Sequence, residues 1–218
     1  MLHFGKLGYV CAVVVVTGVL AGSASAAPIA LLGQTFSALE AGDTASDLSR
    51  EYYNYKDVFT GWVTSRAYEI DSGTLDGQYL YLYQVENEGP SVLEVFGIAP
   101  FFGLDTATSG TSGYLTGGEP DDFVAGGYVP GGAAYNASLV EPLVTFGFPA
   151  YLEKQVPAGS WTRVLYLISP YAPTLGEAYV IDGGVAVTPV VTPTPEPATL
   201  ALMALGGVGL LARRRRGK

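Results

Sequence analysis

Residues Gln78–Asn87 read QYLYLYQVEN. Tyr79, Tyr81, Tyr83 and Val85 fall at alternate positions, and Leu80, Leu82, Gln84 and Glu86 fill the others. Successive side chains of a strand point to opposite faces, so the pattern is that of a strand with two largely apolar faces. Such a strand belongs in the middle of a sheet, with the leucines expected in the core and the tyrosines half-covered.

Five further segments read the same way. They are Gly61–Ile70, Ser91–Pro100, Ser138–Phe148, Ser160–Ser169 and Glu177–Val187, all rich in Val, Ile, Tyr, Phe, Trp and Thr. In Ser160–Ser169, Val164, Tyr166 and Ile168 share one side, and Trp161, Arg163, Leu165 and Leu167 share the other. Turn formers such as DSGTLDG and NEGP separate several of these runs. The main helical signal is Thr44–Tyr55, which predicts two turns from an N-cap at Thr44 or Ser46. Many short strands predict a single all-β antiparallel sandwich, immunoglobulin-like or jelly-roll-like, over residues 27–187. Asp105–Ala137 is dense in glycine and predicts long surface loops, with a short hairpin at Phe123–Val129. Thr188–Pro197 carries prolines at 189, 193, 195 and 197 and predicts a stiff, extended spacer.

The ends of the chain differ from its middle. Residues 1–26 combine Lys6, an apolar run from Leu7 to Ala21 and the small-residue pattern Ala24-Ser25-Ala26. That is the form of a secretory signal peptide, with cleavage expected between Ala26 and Ala27 by signal peptidase of the general secretion machinery. Residues 198–212 are an apolar run that would span about 22 Å as a helix. The run is short for a hydrocarbon core of about 30 Å, a gap that local thinning and snorkelling arginines close. Arg213, Arg214, Arg215 and Arg216 follow, and by the positive-inside rule residues 213–218 stay in the cytoplasm.

Pro195-Glu196-Pro197, the apolar run and the arginine cluster stand in one order at the C-terminus. This arrangement resembles the PEP-CTERM sorting domain. The resemblance implies a membrane-embedded exosortase-like peptidase as processing partner. It also implies export across a Gram-negative envelope, an anchored stage held by the C-terminal helix, and association with extracellular polysaccharide or biofilm matrix.

Charge and composition narrow the chemistry. Between Ala27 and Pro197 there are five basic residues, Arg50, Lys56, Arg66, Lys154 and Arg163, against all twenty acidic ones. The exported part is strongly acidic and repels phosphate, so no nucleic acid is expected as a partner. The single histidine, His3, and the single cysteine, Cys11, both lie within residues 1–26. The exported part therefore has no thiolate nucleophile, no histidine base and no disulfide. We expect a non-enzymatic protein with no required cofactor.

Three groups are candidate sites. Glu119, Asp121 and Asp122, with Asp105, place hard oxygen ligands on the glycine-rich stretch, where calcium is the cation they suit; the competing reading is a solvated acidic loop. Tyr79, Tyr81 and Tyr83, together with the EYYNY run at Glu51–Tyr55 and Tyr151, are candidates for stacking on sugar rings in a carbohydrate-binding module. The competing reading is ordinary half-buried strand composition, and Trp62 and Trp161 are expected in the core. Glu86 and Glu88, two residues apart, are the carboxylates that a secreted hydrolase would use.

Overall fold

Tyr79–Asn87 forms one strand at the centre of a sheet, as its two apolar faces require. The structure, a computed structural model, describes residues 26–137, 141–152 and 154–195. Its strands are β1 (Ala27–Ile29), β2 (Leu32–Thr35), β3 (Ala41–Thr44), β4 (Ser49–Tyr55), β5 (Phe59–Ile70), β6 (Tyr79–Asn87) and β7 (Val95–Ala99). They continue as β8 (Ser112–Gly117), β9 (Gly132–Asn136), β10 (Leu143–Gly147), β11 (Ser160–Trp161), β12 (Leu165–Ser169), β13 (Pro173–Ile181) and β14 (Val185–Pro193). One sheet runs β1-β9-β10-β7-β13-β14, and the other runs β2-β8-β12-β6-β5-β3, with β4 on β5 and β11 on β6. The chain is all-β. Among the described strands the one parallel pair is β2 with β8, two strands too far apart in sequence for a hairpin to fix their direction.

The two sheets share one core. Val63, Ala67, Tyr81, Tyr83, Val85, Leu165 and Leu167 of one sheet meet Phe96, Ile98, Val144, Phe146, Ala178, Val180 and Val190 of the other. The expected orientation of β6 is reversed: its tyrosines point between the sheets and its leucines point outward. Tyr81 and Tyr83 are fully buried, and Leu80 and Leu82 join a second cluster on the far face. A phenol ring reaches farther than a leucine, and the space between two sheets about 10 Å apart accommodates it. Tyr81 stands edge-on to Phe101 at 5.5 Å, and Tyr83 tilts against Phe96 at 6.2 Å.

Three tyrosine hydroxyls of the shared core find backbone carbonyls. Tyr83 Oη donates to Val191 O at 2.6 Å, and Tyr81 Oη donates to Tyr171 O at 2.6 Å. Tyr53 Oη donates to Glu86 O at 3.0 Å. The last bond crosses above Gly61, where a Cβ would collide with both groups.

Three other expectations change. Ser49–Tyr55 is strand, because pairing with β5 satisfies its backbone from Ser49↔Ser65 to Tyr55↔Phe59, and tertiary pairing overrides a short local helix signal. Phe123–Val129 is not a hairpin, and the glycine-rich stretch instead contributes β8 and β9 on either side of it. The expected spacer is strand from Thr188 to Pro193, paired with β13 throughout.

The prolines explain how a segment that looks like a linker can be a strand. Val191 N–H turns away from β13 and donates to Ser65 Oγ at 3.0 Å. By the alternation of an antiparallel ladder, residues 189 and 193 turn the same way. Pro189 and Pro193 therefore stand where β14 has no ladder donor to lose, and an edge strand tolerates proline there. Between them, Val191 has its N–H taken by Ser65 and its C=O taken by Tyr83.

Tyr83→Phe leaves the buried Val191 carbonyl unpaired and is expected to cost about 1–3 kcal/mol in chemical unfolding. The same burial sets an alkaline limit. Removal from water raises the pKa of Tyr53, Tyr81 and Tyr83 above the ordinary 10.0. Their contribution is complete below pH 10 and is lost as pH rises toward the folded values, at about 1.4 kcal/mol per pH unit for each tyrosine. Unfolding followed by circular dichroism should show stability falling steeply above pH 10.

Candidate functional site

The outward face of the larger sheet is only partly covered. Leu80, Leu82, Tyr68, Ile70, Tyr166 and Ile168 lie beneath the 3-10 turn Phe36–Leu39 and Phe123 of the 118–131 loop. Gln84 fastens that loop: its Oε1 accepts from Val124 N at 2.9 Å, and its Nε2 donates to Val124 O at 2.8 Å. Beyond the loop the face is open, and the residues that cross it in register are Tyr52, Trp62, Glu86 and Trp161.

These four come from β4, β5, β6 and β11. Directly paired residues share a face, so they form one row about 14 Å long at the usual strand spacing. Tyr52 is 46% exposed, and its ring lies 5.2 Å from that of Trp62 at 59°. Arg50 Cζ sits 5.3 Å above the Trp62 ring, and Arg50 Nη2 donates to Glu86 Oε2 at 2.9 Å. Trp62 Nε1 donates to Glu88 Oε1 at 3.2 Å. A cavity of about 50 Å³ opens beside the row between Arg50, Gln84, Asp122, Val124 and Trp161. Trp161 Nε1 is buried and has no hydrogen-bond partner among the described residues. The site thus joins rings, a carboxylate–guanidinium pair and an unused donor.

The predicted residues distribute unevenly over this site. Glu86 and Glu88 do share a face, yet each is engaged, one by Arg50 and one by Trp62. Tyr81 and Tyr83 are sealed in the core and present no ring to a ligand, and Tyr79 is half-buried beside them. Of the EYYNY run, Tyr52 is exposed, whereas Tyr53 is buried. The Tyr151 side chain lies outside the described residues. Trp62 and Trp161, expected in the core, are half-buried on the outer face. Tandem tyrosines on a strand must point opposite ways, so one of the pair at 52 and 53 had to face outward. Which one did so depended on the pairing with β5.

The acidic candidates do not converge. Asp122 pairs with Arg66, while Asp121 is exposed and Glu119 half-buried. Asp105 caps its own turn: Thr108 Oγ1 donates to one carboxylate oxygen, and Ala107 N donates to the other at 2.8 Å. The Thr108 hydroxyl and the Ala107 amide hold the Asp105 carboxyl below its ordinary range. Among the described residues no group of three or more His, Cys, Asp or Glu side chains is placed to hold a metal ion.

The second functional element is the exit of the chain from the fold. Thr192 and Pro193 are buried, and Pro195 is half-buried. Glu196, Pro197, the run 198–212 and Arg213–Arg216 lie outside the described residues, as does Ala24 at the other end. Among the described residues no helix is long and apolar enough to cross a membrane. Ala27, directly after the expected signal-peptidase cut, is the first residue of β1 and pairs with Tyr135.

No curated protein and no solved structure matches the chain. A family model does match residues 193–216, beginning at the last residue of β14, and by that match the chain carries a PEP-CTERM protein-sorting motif.

Proposed function

We propose that this chain is a non-enzymatic cell-surface or extracellular-matrix protein whose folded part is the cargo of its own C-terminal sorting signal. The motif implies an exported protein processed by an exosortase-like membrane enzyme. The observation that carries the fuller reading is the junction between motif and fold: the matched residues start where the last strand of the sandwich ends. Removing the tail beyond Pro195 would leave the fourteen strands of the described residues intact. Cleavage between Ala26 and Ala27 would likewise spare β1. An acidic, disulfide-free sandwich held together by its core is suited to life outside the cell, within the envelope or a polysaccharide matrix.

Two measurements test this reading. Mass spectrometry of the mature protein from its host should find Ala27 at the N-terminus and a C-terminus that lacks the arginines. Replacing Arg213–Arg216 with Ala should shift the protein between membrane, surface and medium fractions; an unchanged distribution would remove the sorting reading.

A second reading, a carbohydrate-binding module, is favoured by the Tyr52–Trp62–Glu86–Trp161 row. Aromatic rings offer apolar faces to sugar rings, and Arg50, Glu86 and Glu88 bring hydrogen-bonding groups for hydroxyls. The stacking surface is this row instead of Tyr79, Tyr81 and Tyr83. Screening the exported part against polysaccharides should reveal binding that Tyr52→Ala weakens about tenfold, equivalent to about 1.4 kcal/mol. Silence across the panel, or binding indifferent to Tyr52, would eliminate it.

A further inference from the structure

The end of the sandwich at which the chain leaves carries exposed apolar side chains. Pro193 pairs with Pro173, and Thr194 N donates to Ala172 O at 3.3 Å. Around this point Leu175 is 72% exposed, Leu48 39% and Tyr171 38%. Leu48 and Leu175 line a groove of about 450 Å³ with Pro173 and Val191. Leu48 immediately precedes β4 of one sheet, and Leu175 belongs to β13 of the other. The apolar rim therefore bridges both layers of the fold.

We infer that this rim is a membrane-docking surface, which rests on the zwitterionic lipid interface while the sorting tail is still attached. The inference rests on the reading of residues 198–212 as the membrane-spanning segment.

Its first support is length. From Pro193 to Ala198 the chain can reach at most about 18 Å. The headgroup layer takes up about 5–8 Å of that on each side of the bilayer. What remains is about 10 Å, little more than the length of a side chain. The end of β14 must then face the bilayer, and the side chains around it lie within reach of the interface.

Chemistry is the second support. Tyrosine is favoured at membrane–water interfaces, and leucine gains from leaving water there. Asp47, Glu51, Ser46, Ser49 and Thr174 also line the groove, and no basic residue does. It lacks the lysines and arginines that draw a surface to anionic lipid. A neutral leaflet is the surface it fits.

The test uses the full chain with Cys11→Ser, reconstituted in phosphatidylcholine vesicles. A fluorophore is attached at Thr174→Cys in the groove lining, or at Val185→Cys about 24 Å away at the other end of the β13–β14 hairpin. Headgroup-spin-labelled lipid should quench the first site severalfold more than the second. Adding Leu48→Ser and Leu175→Ser should reduce quenching at Thr174→Cys while flotation with vesicles is retained, and phosphatidylglycerol should reduce it as well. A floating chain with equal quenching at both sites overturns the inference and leaves the anchoring intact. Quenching at Thr174→Cys that ignores the two serine substitutions also overturns it, since the tether alone would then explain proximity. A chain that fails to float removes the membrane-spanning reading and the docking surface with it.

Discussion

The fold depends on what happens to phenol hydroxyls placed between two sheets. A tyrosine ring is a large apolar body, but its oxygen is costly to leave without a partner in a dry core. Tyr83 resolves this by donating to Val191 O, a free carbonyl on the outward edge of the facing sheet. Ser65 accepts from the amide of the same residue. Two sheets that would otherwise touch only through side chains are thereby joined at the backbone of one of them. Tyr81 and Tyr53 make comparable bonds, to Tyr171 O and to Glu86 O. The tyrosine-rich face of β6 thus fastens the sandwich.

That clamp also determines how the fold ends. An edge strand with unpaired amides is exposed to pairing with other chains. In β14, prolines remove the outward amide at 189 and 193, and Ser65 occupies the one between them. The final strand is blunted along its last residues, up to Pro193, where the matched sorting motif begins. The motif thus begins where this blunted edge strand leaves the fold.

The open part of the larger sheet follows from limited covering material. Phe36–Leu39 and the loop held by Gln84 shield the leucine half of the outer face. Nothing in the described chain covers the half that carries Tyr52 and Trp62. There the sheet satisfies itself laterally: Arg50 spans Trp62 and Glu86, and Glu88 takes the indole N–H. These are the groups from which a surface for hydroxyl-rich ligands is made. They became visible only when β4, β5, β6 and β11 were in register.

Much was legible in the residues themselves. The two-faced alternation of Gln78–Asn87 and Ser160–Ser169 marks central strands because a side-chain period of two is a local property of extended backbone. The order of Pro-Glu-Pro, apolar run and arginines is likewise local, and so is the absence of histidine and cysteine after Ala26. Alternation tells that a strand has two faces but not which sheet will cover each, so the inward turn of Tyr81 and Tyr83 awaited the packing of the second sheet. The prolines of Thr188–Pro193 suggest a spacer when read alone, because a missing amide matters only relative to a partner strand. The row Tyr52–Trp62–Glu86–Trp161 draws on residues up to 109 positions apart, and pairing between distant strands is what brings them together. The sequence by itself determined that the chain is all-β, acidic and tagged for sorting. Tertiary structure decided which rings are core and which are surface, because burial is set by the neighbour that arrives from elsewhere in the chain.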